Sequence, residues 1–202
     1  MERASPSPLA RARRRRGKLP VPVAGRIVSD VSKPPHSPYP PDPADDARSD
    51  IDFGELVDVI ATGRDWAGER GFRFSAQRAE LRRCRLTGSE LAEAVIRDAT
   101  FDECRFDLVG LRHATLERVV FRDCRMSECD LYGASLKDVL FERCELREAT
   151  FSSVGVERVE LRQCDLTGLR GAEGLRGARM PFGDVLENAA LFASVMGIEI
   201  VD

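Results

Sequence analysis

A large apolar residue recurs at every fifth position of this chain, from Leu81 to Leu166, eighteen times without a break. Neither common period of secondary structure explains that spacing. Five residues of an α-helix turn a side chain about 140° away from its starting face. Five residues of a β-strand point it to the opposite face. The backbone must therefore change direction every five residues, which predicts a repeat architecture.

Small or β-branched residues form a second column, two positions before each large residue, and this column contains all six cysteines. Five of the cysteines are spaced by twenty residues: Cys84, Cys104, Cys124, Cys144 and Cys164. Twenty residues make four five-residue units. If each unit forms one side, four sides close one coil, and residues twenty apart stack about 4.8 Å apart. The spacing predicts an all-β protein, a four-sided parallel β-helix.

Charged residues test this register independently. Three columns of outward positions, taken at twenty-residue steps, alternate in sign throughout. They are Arg82, Asp102, Arg122, Glu142 and Arg162; Arg97, Glu117, Lys137 and Glu157; and Asp98, Arg118, Asp138 and Arg158. Stacked opposite charges support a pairing register and stacked like charges oppose it. The three columns therefore favour the same four-sided coil.

The units ATFDE, ATLER, ASLKD and ATFSS, which begin at Ala99, Ala114, Ala134 and Ala149, resemble the pentapeptide-repeat family. The resemblance covers residues 79–168 continuously and residues 51–200 more loosely. It implies a right-handed quadrilateral β-helix. That family usually carries Asp or Asn before the central residue, whereas only Asp130 and Asp165 supply it here. The resemblance therefore bears more strongly on fold than on function.

The regions outside the repeats complete the domain organisation. Residues 1–50 hold most of the eleven prolines, and we predict a disordered tail, either a solvated extension or an over-long start. The basic run at 11–18 allows weak contact with nucleic acid or an acidic protein. We expect a cap or an irregular first coil at 51–78 and the β-helix at 79–180, with a glycine-rich register slip after Leu166.

The C-terminal residues 181–202 are expected to form a helix over 184–197, with Asp184 as its N-cap and Gly197 as its stop. One face of this helix carries apolar residues: Leu186, Ala189, Phe192, Ala193 and Met196. An open β-helix end exposes core and unpaired backbone. The face is therefore a candidate cap for the β-helix or a candidate homodimer interface, and the sequence leaves both open.

The sequence contains no catalytic, metal-binding or cofactor-binding motif. The two histidines are isolated, His36 in the tail and His113 on a predicted turn. All the cysteines occupy the small inward position, which favours buried, reduced thiols over disulfides or a metal site. No apolar run approaches the roughly eighteen residues of a spanning helix. We therefore expect a cytoplasmic protein that is not an enzyme, with no cofactor and no membrane partner.

Two functions remain in competition. The first is a non-enzymatic protein-interaction scaffold of unknown partner. Its candidate surface is Val120 and Leu140, twenty residues apart among outward positions that are otherwise nearly all polar, although large or β-branched residues are also favourable in any strand.

The alternative comes from the resemblance alone. Some pentapeptide-repeat proteins mimic DNA, bind a type II topoisomerase such as gyrase, and confer quinolone resistance. Mimicry requires a strongly negative rod. Residues 72–180 hold nineteen basic and nineteen acidic residues, so we rank mimicry second.

Overall fold

The computed structural model describes residues 33–42, 53–71 and 73–201. Its centre is one sheet of six parallel strands in sequence order. They are β1 (Glu55–Thr62), β2 (Ser75–Arg82), β3 (Val95–Asp102), β4 (Thr115–Arg122), β5 (Ser135–Glu142) and β6 (Gly155–Arg162). In each neighbouring pair of strands, every residue except the fourth pairs with the one twenty positions further on. The predicted coil length is confirmed.

Each strand covers two sides of its coil because its fourth residue turns a corner. That residue has a positive φ in every strand, for example +52° at Asp98 and +55° at Asp138. Asp tolerates this left-handed conformation better than most residues. The other two sides are paired by isolated bridges, such as Arg85 to Arg105 and Glu90 to Gly110. The fold is therefore the predicted four-sided parallel β-solenoid.

Two inward columns of side chains fill the core. The large column stacks ring on ring, with Phe121 5.0 Å from Phe101 and 5.2 Å from Phe141, centroid to centroid. In the small column all six cysteines are free and buried, as their position predicts. The Cys124 thiol donates a weak hydrogen bond to the Phe101 carbonyl at 3.4 Å, and burial raises the pKa of the Cys129 thiol. The five thiols spaced by twenty residues each have a backbone carbonyl partner on the preceding coil, and all six behave as small buried groups.

The first coil is more regular than an irregular cap. Strand β1 lies within residues 51–78 and pairs with β2 in the common register. The coil also contains an aromatic cluster, in which the Phe53 ring lies 5.7 Å from Trp66 and 5.2 Å from Phe74. The three rings pack against one another within the first coil, whereas in later coils the phenylalanine rings stack between coils.

The last coil carries the predicted register slip. Glu160 pairs with Arg179, nineteen residues on instead of twenty. The slip is taken up by a 3₁₀ turn at Ala172–Leu175. A Cβ at Gly174 would lie 1.9 Å from the Phe151 carbonyl oxygen, and one at Gly171 would lie 2.2 Å from the Ser152 hydroxyl. Only glycine fits at these two close approaches.

The C-terminal helix differs from the expectation of one continuous element. It is divided into α1 (Phe182–Glu187) and α2 (Ala189–Val195). At the break, the Asn188 side chain donates to the Asp184 carbonyl at 2.8 Å, a local bond of the kind that interrupts helices. Asp184 is not the N-cap, because it lies inside α1 and its carboxylate accepts the Gln163 N–H at 2.5 Å. Gly197 has φ +70° and follows the helix end, as predicted.

Part of the N-terminal region also differs from the expectation. The structure describes residues 33–42, inside the predicted disordered tail, as a segment without helix or strand that contacts the solenoid. The basic run at 11–18 lies outside the described residues.

Candidate interaction surfaces

The predicted pair Val120 and Leu140 lies on the outward face of β4 and β5. The two residues are direct neighbours in the register, and both are half-buried. Their column continues with Thr100 and with Glu160, which is 6% exposed and bonds Arg162 at 2.6 Å. The structure thus brings the pair together but gives it little exposed area, so binding there stays a prediction.

A larger apolar surface lies at the other end of the chain. We define the C-terminal surface as the exposed apolar side chains Phe182, Val185, Leu186, Val195, Met196, Ile198, Ile200 and Val201. Phe182 is 77% exposed and Met196 is 74% exposed. Side chains this large are not normally concentrated in water without a role.

The predicted cap or dimer face divides between two environments. Phe192 and Ala193 are half-buried, and Phe192 packs against the core together with Leu191. Leu186, Ala189 and Met196 are exposed. A cleft of about 450 Å³ lies between the last coil and the helices, lined by Leu175, Ala178, Arg179, Met180, Val185 and Phe192. The helices therefore contact the last coil with one face and leave another face in solvent.

The corner residues of the six strands form a charged column. We define the corner column as Asp58, Arg78, Asp98, Arg118, Asp138 and Arg158. The Arg118 guanidinium binds both carboxylate oxygens of Asp98 at 2.6 and 2.9 Å. Arg158 binds both oxygens of Asp138 at 2.6 and 2.8 Å. Bidentate arginine–carboxylate pairs of this kind are the strongest charge-assisted hydrogen bonds.

Both aspartates are buried, and their pKa values follow from two opposed causes. Burial raises the pKa of Asp138, but hydrogen bonds from Arg158 and from the His36 N–H lower it by more. The net pKa is therefore below its ordinary value. Asp98 behaves in the same way, with Arg118 and the Tyr39 N–H as the donors. Both carboxylates are thus held ionised inside a polar cradle.

One column of like charges was missed by the sequence reasoning. Arg85, Arg105 and Arg125 stack at consecutive coils, and we call them the arginine stack. The next residue in the column at each end is an acid: Arg85 lies 3.4 Å from Asp65, and Arg125 lies 3.6 Å from Glu145. The same twenty-residue step that revealed the alternating columns would have shown it. Like charges in a stack oppose pairing, so this column is a second candidate contact for an acidic partner.

Other kinds of site have little support in the described residues. Across residues 33–42, 53–71 and 73–201, no group of three or more His, Cys, Asp or Glu side chains is placed to hold a metal ion. Within the same ranges, no helix combines the length and apolar character needed to cross a membrane.

Comparison with known families decides the identity of the fold. The family model for the pentapeptide repeat region matches residues 74–151. Residues 74–151 of this chain are therefore a pentapeptide-repeat region. No curated protein matches this chain.

Solved structures of pentapeptide-repeat proteins are similar to this one. QnrB1, a plasmid-mediated fluoroquinolone resistance protein, is 16% identical over 72% of this chain and 100% of that chain, with a TM-score of 0.40. A pentapeptide repeat protein from the Arabidopsis thaliana thylakoid lumen is 20% identical over 51% and 69%, with a TM-score of 0.34. HetL, from Nostoc sp. strain PCC 7120, is 19% identical over 66% and 75%, with a TM-score of 0.24. These likenesses concern the fold alone.

Proposed function

We propose that this pentapeptide-repeat protein is a non-enzymatic interaction scaffold that binds a protein partner through its C-terminal surface. One observation carries the proposal. Of the eleven exposed large apolar or aromatic side chains in the described residues, eight lie between residues 182 and 201. Such a concentration is typical of a protein–protein interaction site. The solenoid then acts as the rigid body that presents this end.

The use of the charged side chains supports a structural role for the solenoid. Many of its acids are engaged in ion pairs between coils, such as Glu142 with Arg122 at 2.9 Å and Asp123 with Arg143 at 2.7 Å. A general acid or base needs a carboxylate that faces a substrate site. Carboxylates bound to arginine instead fix the register of the coils.

A second copy of the chain is the first partner to test. A two-fold interface uses the same patch on both copies, so one self-complementary apolar surface is sufficient. Residues 181–202 carry four acidic residues and no basic residue. Two such surfaces repel at their polar edges, and salt screens that repulsion. The dimer should therefore become tighter as ionic strength rises.

Light scattering of the full chain over a range of concentrations tests this interface. We expect a dimer for the wild type and a soluble monomer for Leu186→Asp and for Met196→Asp, because each buries an unpaired carboxylate in the interface. Leu108→Asp is the matched control, since Leu108 is 55% exposed on a regular coil and Leu186 is 59% exposed. A wild type that stays monomeric at all concentrations, or variants with unchanged mass, would contradict the proposal.

The surface disfavours the alternative function of a DNA mimic. Mimicry of a phosphate array needs a continuous acidic face. The alternating columns instead place arginines beside acids, and the arginine stack adds positive charge to one side. We therefore expect no effect in a gyrase supercoiling assay, with or without a quinolone. Inhibition or protection at micromolar protein would revive the alternative.

A further inference from the structure

The proline-rich segment, residues 33–42, makes specific backbone contacts with the corner column. The His36 N–H donates to Asp138 Oδ1 at 3.1 Å, and the Tyr39 N–H donates to Asp98 Oδ1 at 3.2 Å. The Arg118 guanidinium, on the coil between these two aspartates, lies 5.6 Å from the Tyr39 ring centroid, within the range of a cation–π contact. The segment therefore runs along the solenoid from β5 towards β3.

The conformation of the segment follows from its sequence. It reads KPPHSPYPPD, with five prolines, and it forms neither helix nor strand. Proline fixes φ near −65°, and the residue before a proline favours extended backbone. Both restrictions favour polyproline II, which rises about 3.1 Å per residue and repeats every three residues.

That repeat matches the spacing of the aspartates. Because signs alternate in the corner column, its aspartates recur at every second coil, which is about 9.6 Å. Three residues of polyproline II advance about 9.3 Å. The two donors, His36 and Tyr39, are three residues apart. A polyproline II chain can therefore present one N–H to each successive aspartate without distortion.

Burial along the segment shows the same period. Pro35, Pro38 and Pro41 are half-buried, and every other residue from 33 to 42 is exposed. His36 and Tyr39 each follow one of these prolines, so proline contact and N–H donation alternate in a fixed order. A chain that rested on the surface without a register would not bury every third residue.

The acceptors are built into the solenoid. Asp138 is 1% exposed and Asp98 is 5% exposed. Each carboxylate is already oriented by a bidentate arginine. Its Oδ1 also accepts a backbone N–H, from His36 at Asp138 and from Tyr39 at Asp98. The third aspartate of the column, Asp58, accepts hydrogen bonds from the Arg78 guanidinium, and this pairing raises the pKa of Arg78.

We propose that the corner column is a binding site for proline-rich segments in the polyproline II conformation, and that residues 33–42 occupy it within the same molecule. The site recognises a proline at every third residue, followed by a residue with a free N–H. This recognition is separate from the C-terminal surface, so neither depends on the other.

Peptide binding to the full chain tests the site. The probe is a fluorescein-labelled peptide of residues 33–42, added in trans and followed by fluorescence anisotropy. The wild-type site is occupied by its own segment and should bind the probe weakly. A chain with Pro35→Gly, Pro38→Gly and Pro41→Gly should release its own segment and bind the probe at least tenfold more tightly. Equal binding by the two chains would overturn the proposal.

Variants of the peptide separate specific from general contact without any question of folding. N-methylation of His36 and Tyr39 replaces the two donated N–H groups with N–CH3, and it should weaken binding to the triple-glycine chain more than tenfold. N-methylation of Ser37, whose N–H donates to no described residue, is the matched control and should change binding less than threefold. Equal loss from both peptides would overturn the proposal. So would undiminished binding by the doubly methylated peptide.

Discussion

The regular coils and the C-terminal region pair their backbone and cover their apolar core in different ways. In the coils from β2 to β6, paired residues lie twenty positions apart, and the large inward residues Phe101, Phe121 and Phe141 are fully buried. After β6 the partner at that spacing is missing. The chain slips by one residue, turns through glycines and ends in two short helices.

In an interior coil the neighbouring coils cover the core, whereas the last coil needs a different kind of cover. An interior coil is covered on both sides, so its apolar column contributes fully to stability. Among the described residues, α1 and α2 cover the last coil, where Phe192 is partly buried while Phe182 stays in solvent. Stability should therefore be concentrated in the coils, and association should be concentrated at the end.

The largest expected effect is on the ring stack. Phe121→Ala removes a ring that contacts Phe101 and Phe141 face to face and Phe106 edge to face. Loss of a fully buried Phe costs about 3–5 kcal/mol. Phe182→Ala, at 77% exposure, should cost less than about 0.5 kcal/mol. Urea unfolding followed by circular dichroism gives both free energies.

The comparison fails if the two variants lose similar stability. Equal losses would mean that Phe182 belongs to the folded core. A large loss at Phe182 that disappears on dilution would instead place it in the dimer.

The regular coils could be predicted from sequence because their contacts have a fixed offset. Leu81, Leu116 or Leu146 can each be assigned to the core from position alone, and the register slip appears as Leu175 and Met180 falling one step out of phase. Periodic contacts leave a periodic pattern, and the five-residue period carries nearly the whole fold.

The interaction surfaces could be predicted only in part, because their contacts are not periodic. The helix break depends on one side-chain bond from Asn188 to Asp184, which competes with the helical pattern locally. The contacts of His36 and Tyr39 span 102 and 59 residues. Composition correctly marks that region as unable to form a core. It does not show that the period of a proline-rich segment matches a charge column elsewhere.

Thiol labelling gives a smaller and more local contrast. Cys124 is 1% exposed in the middle of the solenoid, whereas Cys164 is 9% exposed beside the last coil. Buried thiols react only when the structure opens, and the end should open first. In native protein we expect alkylation of Cys164 at least tenfold faster than that of Cys124, with six reactive sites after denaturation.

Peptide mapping by mass spectrometry identifies each labelled cysteine. Rapid native labelling of Cys124, or one common rate for all six, would show that the coils and the end open together. That result would remove the distinction between the two regions.

The smallest expected effect concerns the charge columns, where two Arg→Glu substitutions should have different effects on the melting temperature. Arg122→Glu removes the 2.9 Å contact with Glu142 and places three acids in one stack, with Asp102 and Glu142 as neighbours. Arg105→Glu does the reverse, because it places an acid between Arg85 and Arg125.

Exposed pairs of this kind contribute about 0.2–1 kcal/mol each. Arg122→Glu should therefore lower the melting temperature by a few degrees, and Arg105→Glu should leave it unchanged or raise it slightly. Both effects should shrink at high salt, because the charges are partly exposed and screening is effective there. Thermal melts at low and high ionic strength measure all four values. If both variants melt lower by the same amount, the cost is that of the substituted side chain in the strand, and the alternation of charge does not set the register.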